Sequence, residues 1–278
     1  MSTPIISLEK VTYRYPHSPG DAPPALGEIN LEIREGEFVG LVGANGSGKS
    51  TLARLLNGLI TPTSGEVTVD GLSTRSRAGV GRIRETVGMV FQNPENQIVA
   101  TSVEDDIAFG PENLGLPPAE IDRRVDEACR RLGLEELRRK EPHWLSGGQK
   151  QRAVLAGVLA LGPRALVLDE PTSMLDPRSQ RQFRDIVLEL WRGGVTVIYI
   201  TQLMDEIAAA PRMVALSGGG IVFDGEPRAF FTRPDLLEET ALMPPLAARL
   251  SAALSARGDL PDTALTIPEL VEKISALV

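Results

Sequence analysis

A glycine-rich segment at residues 43–50, with the sequence GANGSGKS, is the part of the chain best suited to bind phosphate. It follows the apolar run Phe38–Val42 and precedes a predicted helix, which is the context of a phosphate-binding loop. Glycines let backbone N–H groups converge on the β- and γ-phosphates of a nucleotide, helped by the helix N-terminus. Lys49 would contact the same phosphates, and the Ser50 hydroxyl would bind Mg²⁺. The segment therefore predicts an ATP and Mg²⁺ site formed by Gly43, Asn45, Gly46, Ser47, Gly48, Lys49, Ser50 and Thr51.

A second candidate site lies where the apolar segment Ala165–Leu168 ends in Asp169 and Glu170. At the tip of a strand, Asp169 would hold the Mg²⁺ ion. Glu170 points in a different direction and could polarise the water that attacks the terminal phosphate. An apolar strand followed by two solvated acids is common by itself, but the phosphate loop upstream favours the catalytic interpretation.

The most discriminating segment is LSGGQ, in which a serine and exposed glycine N–H groups open a predicted helix (Leu145, Ser146, Gly147, Gly148 and Gln149). The positive end of such a helix would face a phosphate. Together with the phosphate loop and the Asp-Glu pair, this segment resembles the ATP-binding cassette (ABC) family, in which LSGGQ is the signature sequence. The resemblance covers residues 5–235. It implies that the phosphate belongs to ATP on an opposing subunit, so that two chains form a head-to-tail dimer around two nucleotides.

Three further residues match positions with roles in that family. Gln92 follows the apolar strand Val87–Phe91 and matches the glutamine that contacts Mg²⁺ and the catalytic water. Tyr15 matches the aromatic residue that stacks on adenine, although an ordinary tyrosine at a strand end fits the same sequence. Asp176 matches a loop that crosses the dimer interface, and it also suits a helix N-cap, a compatible role.

One position departs from the family pattern. Where the family has a histidine that contacts the γ-phosphate, after the strand Thr196–Ile200, this chain has Gln202. The glutamine amide can donate a hydrogen bond, but it cannot become a cation or shuttle a proton as histidine can. We therefore expect the site of Lys49 and Glu170 to bind ATP normally and to hydrolyse it slowly. The alternative is that glutamine substitutes adequately.

Residues 91–115, with the sequence FQNPENQIVATSVEDDIAFGPENLG, are similar to the ATPases of energy-coupling factor (ECF) importers. Those systems take up vitamins and, in related cases, cobalt or nickel ions. The resemblance implies a peripheral ATPase on the cytoplasmic face of the cell membrane, paired with an identical or homologous ATPase. It also implies a transmembrane coupling protein and a separate membrane protein that binds the substrate. Because recognition lies on that other polypeptide, this sequence does not reveal the substrate.

The region after Gln92 would form the groove that receives helices of the coupling protein. Glu95 and the acidic run Glu104–Asp106 would give the groove acidic edges, which favour a basic partner helix. The same residues could instead form a solvated acidic surface without a partner.

Strands and helices alternate through most of the chain. Apolar strands at Phe38–Val42, Ala165–Leu168 and Thr196–Ile200, separated by helices, indicate an α/β fold with a mainly parallel core sheet. The strand Ile6–Tyr13 and the turn at Ile221 look antiparallel, which predicts an accessory β-layer.

We expect a nucleotide-binding core at residues 1–92 and 162–235, a helical signature subdomain at 93–161 and a C-terminal helical appendage at 236–278. In the appendage, Leu246, Leu250 and Leu254 share one helix face, and Thr266–Glu269 resembles a capping box. The apolar faces of the appendage could cover its own core or mediate dimerisation.

Composition narrows the functional classes. A net charge of −8 and a pI near 5.0 argue against a nucleic-acid partner. The single cysteine, Cys129, excludes an internal disulfide and suits a reducing compartment. No secretion signal is evident, and no apolar run approaches the roughly 20 residues of a membrane-spanning helix, so membrane association would need a partner.

Two other functions fit less well. A soluble ABC ATPase of DNA repair or translation would carry a coiled-coil insertion, a zinc module or a second cassette, which the sequence lacks. A nucleotide-binding structural subunit with slow turnover, in a heterodimer, is supported only by Gln202.

Overall fold

The computed structural model describes residues 3–17, 19, 22–257, 260 and 263–276. Within these ranges the strands are β1 Ile6–Tyr13, β2 Leu26–Ile33, β3 Phe38–Gly43, β4 Ser64–Val69, β5 Leu72–Ser73, β6 Val87–Val90, β7 Ala165–Asp169, β8 Thr196–Ile200, β9 Arg212–Ser217 and β10 Gly220–Gly225. The helices are α1 Lys49–Leu56, α2 Val80–Thr86, α3 Val103–Asn113, α4 Pro118–Leu132, α5 Gly147–Ala160, α6 Pro177–Arg192, α7 Met204–Ile207, α8 Pro227–Phe231, α9 Pro234–Thr240, α10 Leu246–Ser255 and α11 Ile267–Ser275.

The larger sheet has the strand order β10-β9-β3-β8-β7-β6 within the described residues. All neighbouring strands are parallel except β10, which is antiparallel to β9. Strands β3, β7 and β8 are buried along their whole length, which explains their continuous apolar sequences. On β3, Phe38 and Val42 belong to one apolar core and Val39 and Leu41 to another, so the sheet is covered on both faces. The predicted α/β fold with a mainly parallel sheet is confirmed.

The second sheet is antiparallel and has the order β2-β1-β4-β5. Its inward side chains join the core beneath β3, together with those of α1. The sequence did not predict β4, because its segment SGEVTV contains only two apolar residues. The strand at Ile221 was wrongly assigned to the accessory layer. As part of β10 it is antiparallel, but it forms the edge of the larger sheet.

Helices α3, α4 and α5 follow β6 and precede β7 in the sequence, pack on one another, and lie within the predicted signature subdomain, residues 93–161. Their buried residues join the same apolar core as Phe38 and Val42. The proposed division into a core, a subdomain and an appendage stays a prediction. The expected start of the appendage, residue 236, falls inside α9, whose Leu236 packs in that core.

The appendage contains α10 and α11, as the sequence predicted, and Thr266 caps α11. The predicted leucine face divides between two environments: Leu246 and Leu250 are 48% and 46% exposed, whereas Leu254 packs against the buried cluster of Ala247, Leu260, Ala264 and Leu270. Part of the apolar surface of the appendage therefore covers a small core of its own, and Leu246 and Leu250 are free to contact another chain.

The longest described helix, α6, has 16 residues. Among the described residues, no helix combines the length and the apolar character that crossing a bilayer requires.

Candidate nucleotide and metal site

The predicted catalytic residues meet at one edge of the larger sheet. Strands β3, β7 and β8 are parallel neighbours, with Asp169 in register with Ile200. Their carboxyl ends therefore lead into adjacent loops, the usual position of ligand sites in such sheets. The phosphate loop follows β3, the Asp-Glu pair ends β7, and Gln202 follows β8.

The shape of the phosphate loop depends on glycine. Gly43 has φ +151°, and a Cβ there would lie 2.4 Å from the carbonyl oxygen of Leu216. Gly48 has φ +105°, and its Cβ would lie 2.6 Å from Cδ2 of Leu26. No other residue type would allow this close approach of the chain. The loop thus leads directly from a buried strand into α1.

Lys49 lies inside the curve of this loop. Its Nζ donates hydrogen bonds to the carbonyl oxygens of Gly43, at 2.9 Å, and Ala44, at 3.0 Å. Burial lowers the pKa of Lys49, while the charges of Glu170 and Asp169 oppose this change. The ammonium group is therefore held in place and poorly solvated, and a phosphate would replace the lost solvation.

The loop fits a triphosphate in a further respect. Ser47 is 4% exposed, and its Oγ has no hydrogen-bond partner among the residues that the structure describes. An unpaired buried hydroxyl in a phosphate loop calls for a ligand or a water. Together with Lys49 and the helix N-terminus, it gives the site hydrogen-bond donors that suit phosphate oxygens.

Asp169 and Ser50 form the candidate metal site. The Ser50 hydroxyl donates a hydrogen bond to Oδ1 of Asp169 across 3.2 Å. Burial raises the pKa of the Asp169 carboxyl. A divalent cation would offset this desolvation, and carboxylate and hydroxyl oxygens are ligands that Mg²⁺ accepts. The two residues therefore fit Mg²⁺.

Glu170 is held by amide side chains on both of its carboxylate oxygens. Nε2 of Gln202 donates to Oε1 at 2.6 Å, and Nε2 of Gln92 donates to Oε2 at 3.0 Å. Nε2 of Gln202 also donates to Oδ1 of Asn45 at 2.8 Å, which links Glu170 to the phosphate loop. Four of the predicted residues are thus joined in one network.

Tyr15 lies beside the phosphate loop. Its hydroxyl shares a hydrogen bond of 2.9 Å with Oγ1 of Thr51. The ring packs edge-on against Tyr13, at an interplanar angle of 89°. The side chain is 40% exposed, so ring surface remains accessible to a base.

The signature residues form a second group. Ser146 and Gln149 make a reciprocal capping box at the start of α5. A Cβ on Gly148 would lie 2.7 Å from Oγ of Ser179, whose hydroxyl donates to Asp176. Asp176 also caps α6. The structure therefore brings the signature together with Asp176, around a cavity of about 320 Å³, rather than with the phosphate loop.

Sequence reasoning missed Glu206, which lies on α7 behind the catalytic loops. Its carboxylate accepts hydrogen bonds from the hydroxyls of Thr172 and Thr201. The only sequence signal is an acidic residue on the first helical turn after a strand that ends at the site.

Comparisons with known proteins identify the family of this chain. Residues 26–173 match the family model described as "ABC transporter". The energy-coupling factor transporter ATP-binding protein EcfA1 of Symbiobacterium thermophilum is 50% identical, covering 100% of this chain and 99% of the relative. EcfA1 of Caldanaerobacter subterraneus is 45% identical, covering 97% and 98%.

Solved structures agree. CbiO1 of Clostridium perfringens, described as part of the ABC transporter complex cbiONQ, superimposes with a TM-score of 0.77 at 35% identity, covering 92% of this chain and 98% of that one. The ATP-binding cassette MJ0796, solved as a dimer bound to ADP and Pi, gives 0.71 at 30% identity, covering 80% and 99%. The chain therefore belongs to the ABC transporter family, within it to the energy-coupling factor transporter ATP-binding proteins, and is an ATPase that uses ATP and Mg²⁺.

Proposed function

We propose that this chain energises an ECF-type importer of vitamins or transition-metal ions, as one subunit of a nucleotide-sandwich dimer on the cytoplasmic face of the membrane. The observation that carries this proposal is the separation of the site into two halves. The phosphate loop with Glu170 forms one half, and the signature with Asp176 forms the other. A second copy, or a homologous ATPase, would bring the two halves together.

Each half has a defined task in hydrolysis. Lys49, Ser47 and the loop N–H groups bind the phosphates, and Ser50 and Asp169, with Gln92, hold the metal. Bound MgATP supplies the phosphoanhydride bond that is cleaved and the cation that neutralises its charge. Glu170 accepts hydrogen bonds from two amides and orients a water for attack as the general base. The partner's signature helix would close the site and exclude bulk water.

MJ0796, solved as a dimer with ADP and Pi, supports this arrangement. Exposed apolar residues also lie next to the second half of the site: Trp144 is 75% exposed directly before the signature, and Met174 is 63% exposed before Asp176. Such exposure favours a surface that another chain covers.

The membrane partners would bind the groove between α3 and α5. Val99 and Phe109, 63% and 50% exposed, line this groove. The acidic edges that the sequence suggested are largely used within the chain, since Glu104 pairs with Arg138 and Glu95 with Lys150. We therefore infer that apolar contact, more than charge, attracts the coupling protein.

The alternatives have less support. Relatives that match the whole chain are named as ECF transporter ATP-binding proteins, which argues against DNA repair or translation. Glu170 and its two amide partners argue against a subunit that only binds nucleotide.

Tryptophan fluorescence tests the dimer. In a Glu170→Gln variant, which should bind ATP without hydrolysing it, MgATP should shift the Trp144 emission to the blue because the second chain would cover this residue. Gly147→Asp in the same background should abolish the shift, since its carboxylate would repel the partner's phosphate while suiting its own helix N-terminus. Trp144→Phe in the same background should show no shift, which would assign the signal to Trp144. A Glu170→Gln protein without any shift, or an undiminished shift with Gly147→Asp, would refute the sandwich. Purification from membranes and mass spectrometry of bound proteins tests the importer.

A further inference from the structure

Glu206 connects two loops of the site that are distant in sequence. Its Oε1 accepts a hydrogen bond from Oγ1 of Thr172 at 2.6 Å, and its Oε2 accepts one from Oγ1 of Thr201 at 2.7 Å. Thr172 lies two residues after Glu170, and Thr201 lies directly before Gln202. One carboxylate therefore joins the loop that carries the candidate base to the loop that carries its amide partner.

The two threonines are well placed to transmit this constraint. They are 1% and 3% exposed, so their hydroxyls depend on partners within the protein. Thr201 Oγ1 also accepts the N–H of Leu203 at 2.9 Å, and Gln180 donates to the carbonyl oxygen of Thr172 at 3.1 Å. Each threonine is therefore fixed by a second hydrogen bond in addition to the one that it donates to Glu206.

Glu170 needs such support because of its backbone. Its φ is +48°, in the left-handed region that side chains other than glycine rarely adopt. A conformation of this kind is strained and persists only where the surroundings fix it. Its carboxylate must also remain 2.6 Å from the Gln202 amide, which lies on the other loop.

We propose that Glu206 is a positioning residue for hydrolysis, which holds Glu170 and Gln202 in register by tying Thr172 to Thr201. This inference rests on the proposed roles of Glu170 and Gln202. Glu206 itself binds neither nucleotide nor metal. Its loss should therefore slow the chemical step without weakening ATP binding.

The adjacent Asp205 provides a matched control. It lies on the same short helix but faces the appendage, where its Oδ1 accepts the N–H of Leu246 at 3.1 Å. Removing this carboxylate changes the charge of α7 as much as removing Glu206 and leaves both catalytic loops untouched.

The test is steady-state ATP hydrolysis by the assembled complex that contains the wild-type chain or one of its variants. Glu206→Ala should lower kcat by roughly tenfold to a hundredfold, the scale of a small misplacement of reacting groups, with KM for ATP within about twofold of wild type. Glu206→Gln should recover most of the rate because its amide can still bond both hydroxyls. Asp205→Ala should retain the wild-type kcat.

If Glu206→Ala does not fold, Thr172→Val and Thr201→Val replace it, and each should lower kcat alone. A kcat of Glu206→Ala within twofold of an active wild type would overturn the inference. So would an equal loss in Glu206→Gln, or an equal loss in Asp205→Ala. An assembled wild-type complex without ATPase activity would instead count against the proposed catalytic function itself.

Discussion

The side-chain amide nitrogen of Gln202 lies 2.6 Å from a carboxylate oxygen of Glu170. The same nitrogen lies 2.8 Å from Oδ1 of Asn45, so both of its hydrogens are used, one toward the candidate base and one toward the phosphate loop. A neutral histidine offers only one N–H at a time. Glutamine thus secures the geometry of the site but provides no group that titrates near neutral pH.

Gln202→His should therefore raise the rate of ATP hydrolysis in the assembled complex, by up to roughly tenfold, because an imidazole can exchange protons. The pH profile should also gain an inflection at pH ~6.5, which the wild type cannot show from this position. Gln202→Ala, which removes both hydrogen bonds, should be slower than either. Unchanged hydrolysis in Gln202→His would mean that glutamine substitutes adequately.

Asp169 should reduce stability in the absence of ligand. Because burial raises the pKa of its carboxyl above the unfolded value, the folded chain binds the proton more tightly. Stability then falls as pH rises from the unfolded pKa to the folded pKa, and it stays lower at neutral pH. Asp169→Asn should remove this cost and raise Tm in EDTA at pH 7.

Addition of MgATP should make the Tm of the wild type higher than that of Asp169→Asn, the reverse of the order expected in EDTA. The wild-type Tm should rise through ligand binding, while Asp169→Asn should respond less because it lacks the metal carboxylate. Ser50→Ala is the control, since it should lose part of the Mg²⁺ response without gaining stability in EDTA. Calorimetry measures all three proteins, and a lower Tm for Asp169→Asn in EDTA would contradict the electrostatic argument.

Tyr15 should contribute to ATP affinity through its ring. Stacking of aromatic groups is worth about 0.5–1.5 kcal/mol, so Tyr15→Ala should weaken binding by about twofold to tenfold in titration calorimetry. Tyr15→Phe retains the ring and loses only the hydrogen bond to Thr51, so its affinity should stay near that of wild type. Full affinity in Tyr15→Ala would identify this residue as an ordinary tyrosine at a strand end.

Local motifs made most of the site predictable. Three motifs can each be recognised from a few adjacent residues: the phosphate loop, the Asp-Glu pair and the signature. The parallel strands of the larger sheet then bring the first two together. The Glu206 contact could not be predicted, because its partner Thr172 lies 34 residues away and no local pattern links them. Periodicity found the leucine face of α10, but it could not show that Leu254 packs against the buried Ala247 while Leu246 and Leu250 remain exposed.

Charge reversal at Glu104–Asp106 would be a poor test of the membrane groove. The Glu104 carboxylate lies 2.8 Å from Arg138, and Asp106 accepts the backbone N–H groups of Val99 and Ala100, so reversal would disturb the fold itself. Phe109→Ser is a better test, because this side chain is 50% exposed and its loss breaks no hydrogen bond or ion pair that the fold uses.

Phe109→Ser should reduce the amount of membrane protein that co-purifies with the chain while leaving ATP affinity unchanged. Leu59→Ser is the matched control, since Leu59 is 41% exposed but follows α1, outside the groove. The apolar groove attracts its partner by removing hydrocarbon surface from water, so the loss should also persist at high salt, where an ionic contact would already be weak. Equal recovery of membrane protein with both variants would place the coupling surface elsewhere.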